Sequence, residues 1–494
     1  MVEVLRGNPE RELPPTCYVS AVSETSRKNK AARASNGILG RFLAGKIDVG
    51  KEPQFTTQVE IPVGFTAFCR ALGDGILLGY GDRVTSAAEL PASPGLDQII
   101  SWCVTHFSRY ALVVFRNDYV ALITDPMGTF PLFFSIDAGR LTFSTRAVDL
   151  LPDDPARSLA DFGGQRPIPA LGETVFSGVR SVPPGTVLVM RPVDAAWSIT
   201  WDREYYKLPE QPRLKNAEHA ARAIYSALER AVAFNITDAK EACVSLSGGV
   251  DSTSVACLAR LAGAKLRTFT IGSTYGNEFR EARATARALQ AEHTELTITV
   301  EDLRQLLPRL IATYETWDPL TLQIAAPMAF LYEQLKRAGK RHLFLTGYGS
   351  DLIFAGTLGP YSTSEELEGA IRRQILLTVP TNEMSPNLAA QCDVTVRYPF
   401  WHTEVLQIGL ETDVKLKVHN GIEKWVLRKA MEPILPLEVT WRKKLGIHEG
   451  ARIDQLFADL LGTRQLSEQA TMLRTMALEE FAKARNRGVD APLM

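Results

Sequence analysis

Ser245-Leu-Ser-Gly-Gly-Val-Asp-Ser252 decides the fold of the larger part of this chain. The run Ala242–Leu246 leading into it is short and apolar, as a buried strand would be. Ser252–Ala262 suits a helix, and Gly263 suits its stop. Between them, two glycines let the backbone turn tightly and approach a ligand closely. The following helix aims its free N–H groups and positive dipole end at whatever binds there. Ser247 and Ser252 add hydroxyl donors. Asp251 has the wrong charge to bind phosphate directly, but it fits a ligand of Mg²⁺ that bridges to phosphate oxygens. The GxxxxGK[ST] loop of P-loop NTPases is absent. The competing reading is a glycine-rich turn with a serine cap.

Outward from this loop, strands and helices alternate. Arg267–Ile271 reads as a second strand, Glu278–Ala291 as a helix, Leu296–Val300 as a third strand and Leu343–Leu345 as a fourth. The alternation predicts a parallel sheet covered by helices, an α/β domain. The last 130 residues or so read as mostly helical. On the N-terminal side, Asn216 caps a predicted helix with Ala220, Ile224, Leu228 and Val232 on one face. The polar, proline-bearing stretch Lys207–Lys215 resembles a linker. Residues 1–205 differ in style. Tyr110–Phe115, Val120–Thr124, Leu132–Ser135, Leu141–Ser144 and Val187–Met190 are short β-like runs separated by turns such as Asp125-Pro-Met-Gly128. They predict an antiparallel α+β domain with a few helices such as Gly95–Phe107. The two domains are therefore 1–205 and 206–494.

The bulk numbers exclude several classes. The chain has 494 residues and a net charge of −1, with no excess of positive charge for nucleic acid or an anionic membrane. No apolar run is long enough to span a bilayer, and the N-terminus lacks the apolar core of a signal peptide, so a cytoplasmic protein is expected. The six cysteines are scattered without CxxC spacing, which argues against a zinc site or a disulfide framework.

Ser247-Gly-Gly-Val-Asp-Ser252 resembles the pyrophosphate loop of the ATP pyrophosphatase superfamily, which includes asparagine synthetases. Asp125–Phe134, Leu141–Thr145 and Phe176–Gly185 resemble the N-terminal nucleophile glutaminase domain of asparagine synthetase. Working glutaminases carry cysteine directly after the initiator Met; here that position is Val2, and Cys17 is far inside. The resemblance implies a degenerate domain that makes no ammonia. Leu345-Thr-Gly-Tyr-Gly-Ser-Asp351 differs from the Gly-Glu-Gly-Ala/Ser-Asp-Glu of asparagine synthetases and is similar to the corresponding string of β-lactam and carbapenam synthetases. Asn382–Pro386, Val396–Trp401, Lys424–Arg428 and Trp441–Gly450 resemble those enzymes too. Resemblance is strong over about residues 240–455.

The resemblance implies an ATP- and Mg²⁺-dependent ligase acting on a small amino-acid-derived substrate, and a homo-oligomer. Asp251 and Asp351 become the Mg²⁺ ligands; a helix cap is the competing role for Asp351. Tyr348 and Glu383 become a catalytic dyad that takes a proton from the attacking amine, rather than a core aromatic and a solvated glutamate. Lys444 becomes the lysine that stabilises the developing oxyanion; the bland alternative is a surface lysine. Leu246, Ser247, Gly248, Gly249, Ser252, Ile271, Thr346 and Gly347 would line the nucleotide. Lys424 would contact pyrophosphate or lie on a helix surface. Asn277-Glu278-Phe279 also belongs to the resemblance, without a role that chemistry assigns. The expected reaction is adenylation of a β-amino-acid carboxylate and closure to a β-lactam. The alternatives are an intermolecular amide synthetase and an inactive relative.

Overall fold

A computed structural model describes residues 43–48, 54–57, 65–83 and 90–489, apart from 92, 138, 153–157, 163–165, 195, 238, 357–360 and 444–446. The chain divides into two compact units. One comprises Met1–Asp161, Pro169–Tyr206 and Leu478–Met494; the other comprises Phe162–Ile168 and Lys207–Ala477. Among the described residues no helix is long and apolar enough to cross a membrane. Cys103, Cys243, Cys257 and Cys392 are buried free thiols. Met1, Val2, Cys17 and Lys444 lie outside the described residues.

In the first unit β1 (Leu43–Asp48), β2 (Gln54–Thr57), β7 (Phe133–Asp137), β8 (Arg140–Ser144) and β9 (Arg180–Ser181) form a sheet in the order β2-β1-β8-β7-β9. A second sheet has the order β11-β10-β6-β5-β4-β3, from β3 (Phe65–Leu72), β4 (Gly75–Arg83), β5 (Phe107–Arg116), β6 (Val120–Thr124), β10 (Thr186–Val193) and β11 (Ala196–Glu204). All pairings are antiparallel, as the short β-like runs predict. Alternate residues Tyr110, Leu112 and Val114 of β5 share a core with Val187 and Val189 of β10 and with Ile99, Ile100 and Cys103 of α1 (Leu96–His106). The Asp125 turn is closed by its own carboxylate, which accepts N–H bonds from Met127, Thr129 and Phe130 at 3.0–3.2 Å.

The second unit is built on five parallel strands in the order β14-β13-β12-β15-β16. They are β12 (Glu241–Ser245), β13 (Lys265–Ser273), β14 (Glu292–Ile298), β15 (His342–Leu345) and β16 (Val394–Arg397). The helices α2 (Ala217–Ile236), α3 (Val250–Leu261), α4 (Phe279–Ala288), α5 (Val300–Tyr314), α6 (Pro319–Arg337) and α7 (Ser350–Ile353) alternate with them, and further helices follow to Leu466–Val489, whose residues from Leu478 onward belong to the first unit. Asn216 caps α2, accepting from the His219 N–H at 3.0 Å, and Ala220, Ile224, Leu228 and Val232 are buried as predicted. Lys207–Lys215 does more than link: Leu214 N–H donates to Glu411 O at 2.9 Å.

Two strands depart from expectation. β14 starts at Glu292 rather than Leu296 and ends at Ile298, because Thr299 caps α5 through a reciprocal bond with Asp302. It is an edge strand, so its Glu-His-Thr-Glu segment is half in water and carries no apolar run. β16, at the other edge of the sheet, was not anticipated. The first strand after the linker, β12, lies at the centre. The chain then builds outward to β13 and β14 before returning to β15 on the other side. That reversal opens a crevice at the carboxyl ends of β12 and β15, where ligands of open α/β sheets bind.

Candidate active site

Two loops leave the sheet at that crevice. The β12 loop runs Leu246 to Gly249 into α3. Gly248 has φ +72°, and a Cβ there would stand 2.9 Å from the Glu281 carbonyl carbon, so glycine is required on both counts. The loop's serines hold it internally. Ser247 N–H donates to Ser252 Oγ at 3.2 Å, and Gly249 N–H donates to Ser247 Oγ at 3.3 Å. Leu246 is buried beneath, and its carbonyl accepts from Thr270 Oγ1 at 2.5 Å, one residue from Ile271 on β13. The β15 loop begins at Thr346, whose Oγ1 accepts from Tyr348 N–H at 3.1 Å. A Cβ on Gly347 would stand 2.8 Å from both the Asp251 carbonyl carbon and Ser252 N, so the two loops meet backbone to backbone. The structure thus brings Leu246, Ser247, Gly248, Gly249, Asp251, Ser252, Ile271, Thr346 and Gly347 to one crevice.

Asp251 lies in the first turn of α3 and Asp351 in the first turn of α7, whose cap is Gly349. Asp351 is therefore not itself a helix cap. Lys424 is not on a helix surface. It is fully buried, and its Nζ contacts Asp251 Oδ2 and lies 2.6 Å from Asp351 Oδ1. Burial pulls its pKa down, but the two carboxylates more than offset this and hold it above the ordinary value. Asp251 Oδ1 is buried and takes no hydrogen bond among the described residues. Two convergent carboxylates, one with an unsatisfied oxygen, are a donor set that suits Mg²⁺ completed by phosphate oxygens.

Tyr348 Oη donates to Glu383 Oε2. The pair lies among aromatic rings, with Tyr398 at 6.1 Å and Trp401 at 6.3 Å between ring centroids. Burial and the neighbouring Glu383 charge raise the Tyr348 pKa well above 10. Burial also raises that of Glu383, against hydrogen bonds from Tyr348 and Thr381 that lower it; Asp318 raises it and Arg166 lowers it. Arg166 forms a two-point pair with Asp318 at 2.8 and 2.6 Å. Sequence reading missed Arg166 because the contact spans 152 positions. It also missed Arg442, whose Nη1 donates to the Ser247 carbonyl at 2.8 Å, although Arg442 stands inside the long matching string Trp441–Gly450. That string was the available signal.

The chain belongs to the asparagine synthase family, whose model matches residues 223–375 and 376–491. This is a family of ATP-dependent ligases that form carbon–nitrogen bonds. A carboxyethyl-arginine beta-lactam-synthase from Streptomyces clavuligerus is 34% identical over 355 residues, covering 72% of this chain and 66% of its own length. A probable glutamine-hydrolyzing asparagine synthetase from Dictyostelium discoideum is 32% identical over 267 residues, 48% of either chain. The chain therefore spans just under two thirds of the first relative's length and about half of the second's. The solved structure of an NMN synthetase from Francisella tularensis matches at 13% identity and TM-score 0.28, over 55% of this chain and 94% of its own.

Proposed function

We propose that this protein is an ATP-dependent synthetase that adenylates a β-amino-acid-type carboxylate and closes an intramolecular amide to a β-lactam, as in antibiotic or toxin biosynthesis. The observation that carries the reading is the hydrogen bond from Tyr348, which stands on the loop whose Gly347 abuts Asp251 and Ser252, to Glu383. In the first step a substrate carboxylate oxygen attacks the α-phosphorus of ATP, and the bond to pyrophosphate breaks. The N–H groups at the start of α3 would face the anionic phosphates. Asp251 and Asp351 would hold Mg²⁺, which when bound neutralises phosphate charge. In the second step the amine attacks the acyl carbon and AMP leaves.

The attacking amine must lose a proton. With its pKa raised well above 10, Tyr348 is a phenol rather than a phenolate at neutral pH. It acts by taking the amine proton while passing its own to Glu383, whose raised pKa suits it to receive one. Lys444 would stabilise the oxyanion that develops at the acyl carbon. The first unit, with its two antiparallel sheets and glutaminase-like motifs, is read as a degenerate N-terminal nucleophile domain. A cytoplasmic homo-oligomer fits the reading.

The match to asparagine synthetases favours a second reading, in which ammonia or another external amine attacks. One experiment separates the two. The protein is given Mg²⁺, ATP and a panel of β-amino acids with no added amine. AMP, pyrophosphate and a product lighter by one water support ring closure. An amide formed only when an amine is added would replace it with the intermolecular reaction, and no turnover with either would point to an inactive relative.

A further inference from the structure

Asn382 stands immediately before Glu383 with its backbone in the left-handed region, at φ +60°. That conformation is costly for any residue but glycine, and asparagine is among the few that tolerate it. Glu315 and Arg452 are left-handed too, but each caps a helix. Asn382 caps none: the helix Ser364–Leu377 has ended at Thr378, and the helix Asn387–Ala390 has not begun. The chain on both sides holds the conformation. Thr381 N–H donates to the Leu377 carbonyl at 3.3 Å and Asn382 N–H to the Val379 carbonyl at 3.0 Å, closing the turn that leaves the first helix. Ser385 N–H donates to the Asn382 carbonyl at 3.0 Å, closing the next turn. Thr381 and Met384 are buried on either side. The two turns are thus anchored at their outer ends and meet at Asn382 and Glu383. A right-handed residue at 382 would rotate φ by about 120°. That rotation would swing the Glu383 side chain away from the Tyr348 hydroxyl that now donates to it.

We infer that Asn382 is a positioning residue whose left-handed backbone aims the Glu383 carboxylate at the Tyr348 hydroxyl, so that the proton relay is set before substrate binds. The inference rests on the reading of Tyr348 and Glu383 as the pair that takes the amine proton. Backbone strain of this kind persists only where the surroundings over-determine it, and it gathers at functional sites. Because the role belongs to the backbone, glycine, which enters this region freely, should serve as well as asparagine.

The test uses the full-length protein with Asn382→Gly, Asn382→Ala and Asn382→Val, each with Glu383 native and with Glu383→Gln. Amide formation from a β-amino acid that turns over should stay within about twofold of native in Asn382→Gly, fall about fivefold in Asn382→Ala and fall about 50-fold in Asn382→Val, whose branched Cβ fits this region worst. Isotope exchange between pyrophosphate and ATP should change less than about threefold in all three, since it reports adenylation alone. In the Glu383→Gln background Asn382→Val should remove little further rate, because Asn382 acts through Glu383. Crystal structures of Asn382→Gly and Asn382→Val give a readout independent of turnover: the Tyr348–Glu383 hydrogen bond is kept in the first and broken in the second. A native rate in Asn382→Val, a loss in Asn382→Gly as large as in Asn382→Val, or an intact Tyr348–Glu383 bond in the Asn382→Val structure would overturn the inference. If no β-amino acid turns over, or Glu383→Gln is as fast as native, the reading of the dyad fails instead, and the two structures still decide whether Asn382 aims Glu383. If Asn382→Val does not fold, Asn382→Ala takes its place in both measurements.

Discussion

The ammonium of Lys424 bridges Asp251 and Asp351, two carboxylates a hundred residues apart in sequence, from a fully buried position. The side chain acts as the counter-charge that lets the two acids approach. Removing a buried ion's partner leaves uncompensated charge. Lys424→Met should therefore lower stability by about 2–3 kcal/mol, tempered by the partial exposure of both carboxylates. Millimolar Mg²⁺ should recover part of that loss in thermal melts, and far less in the native protein. Melting of the variant that ignores Mg²⁺ would show that the two acids do not form a cation site.

Tyr348→Phe keeps the ring among Tyr398 and Trp401 and deletes only the hydroxyl that donates to Glu383. Amide formation should slow by roughly 100-fold or more, the usual scale for losing general acid–base catalysis. Isotope exchange between pyrophosphate and ATP should persist, since adenylation needs no proton from the amine. Loss of both activities together would place Tyr348 in nucleotide binding instead.

The pH dependence of stability should carry a Glu383 signature. Burial raises its pKa above the ordinary 4.5, so the folded chain holds a proton that the unfolded chain releases. The stability this contributes is complete below pH 4.5 and is lost as pH rises through the elevated folded value. Glu383→Gln should flatten that part of the profile. Asp125, also raised by burial, contributes in the same direction, so the difference between the two proteins is the informative curve.

Lys417 predicts the opposite slope. Burial, with help from Arg372, pulls its pKa down to about 7, while Glu368 and Asp413 oppose the shift. Its stability contribution is present above pH 10.5 and is lost as pH falls through about 7. Lys417→Met should be more stable at pH 7 by on the order of 1–3 kcal/mol, and less sensitive to pH between 7 and 10. Denaturant melts at several pH values measure it directly.

Gly347→Ala should cripple the site while leaving the fold. Its methyl would press on the Asp251–Ser252 backbone at 2.8 Å and push the two loops apart. A displacement of that kind is expected to slow adenylation on the order of 100-fold, read as pyrophosphate exchange.

What the sequence revealed followed the range of the interactions. The phosphate loop was legible because strand, glycines and capping helix are contiguous. The α2 face was legible because Ala220, Ile224, Leu228 and Val232 recur at helical spacing. β14 was misplaced since an edge strand need not be apolar, and Thr299 ends it by capping the next helix. The pairing of Tyr348 with Glu383 came from resemblance, because no local pattern links residues 35 positions apart. Lys424 was given either a pyrophosphate contact or a helix surface, and its place between two carboxylates depends on a left-handed backbone at φ +56° and on burial set by distant chain. Arg442 was quoted within its motif but had no role, because its partners, the Ser247 carbonyl and the Glu278 carboxylate, lie more than 160 positions away.

The adjacency of β12 and β15 has one more consequence. The long excursion through β13, β14, α5 and α6 leaves and returns between neighbouring strand ends, so insertions or rearrangements in it need not change the spacing of Asp251 and Asp351. The distance between two acids a hundred positions apart is thereby a property of strand pairing, not of the length of chain that separates them.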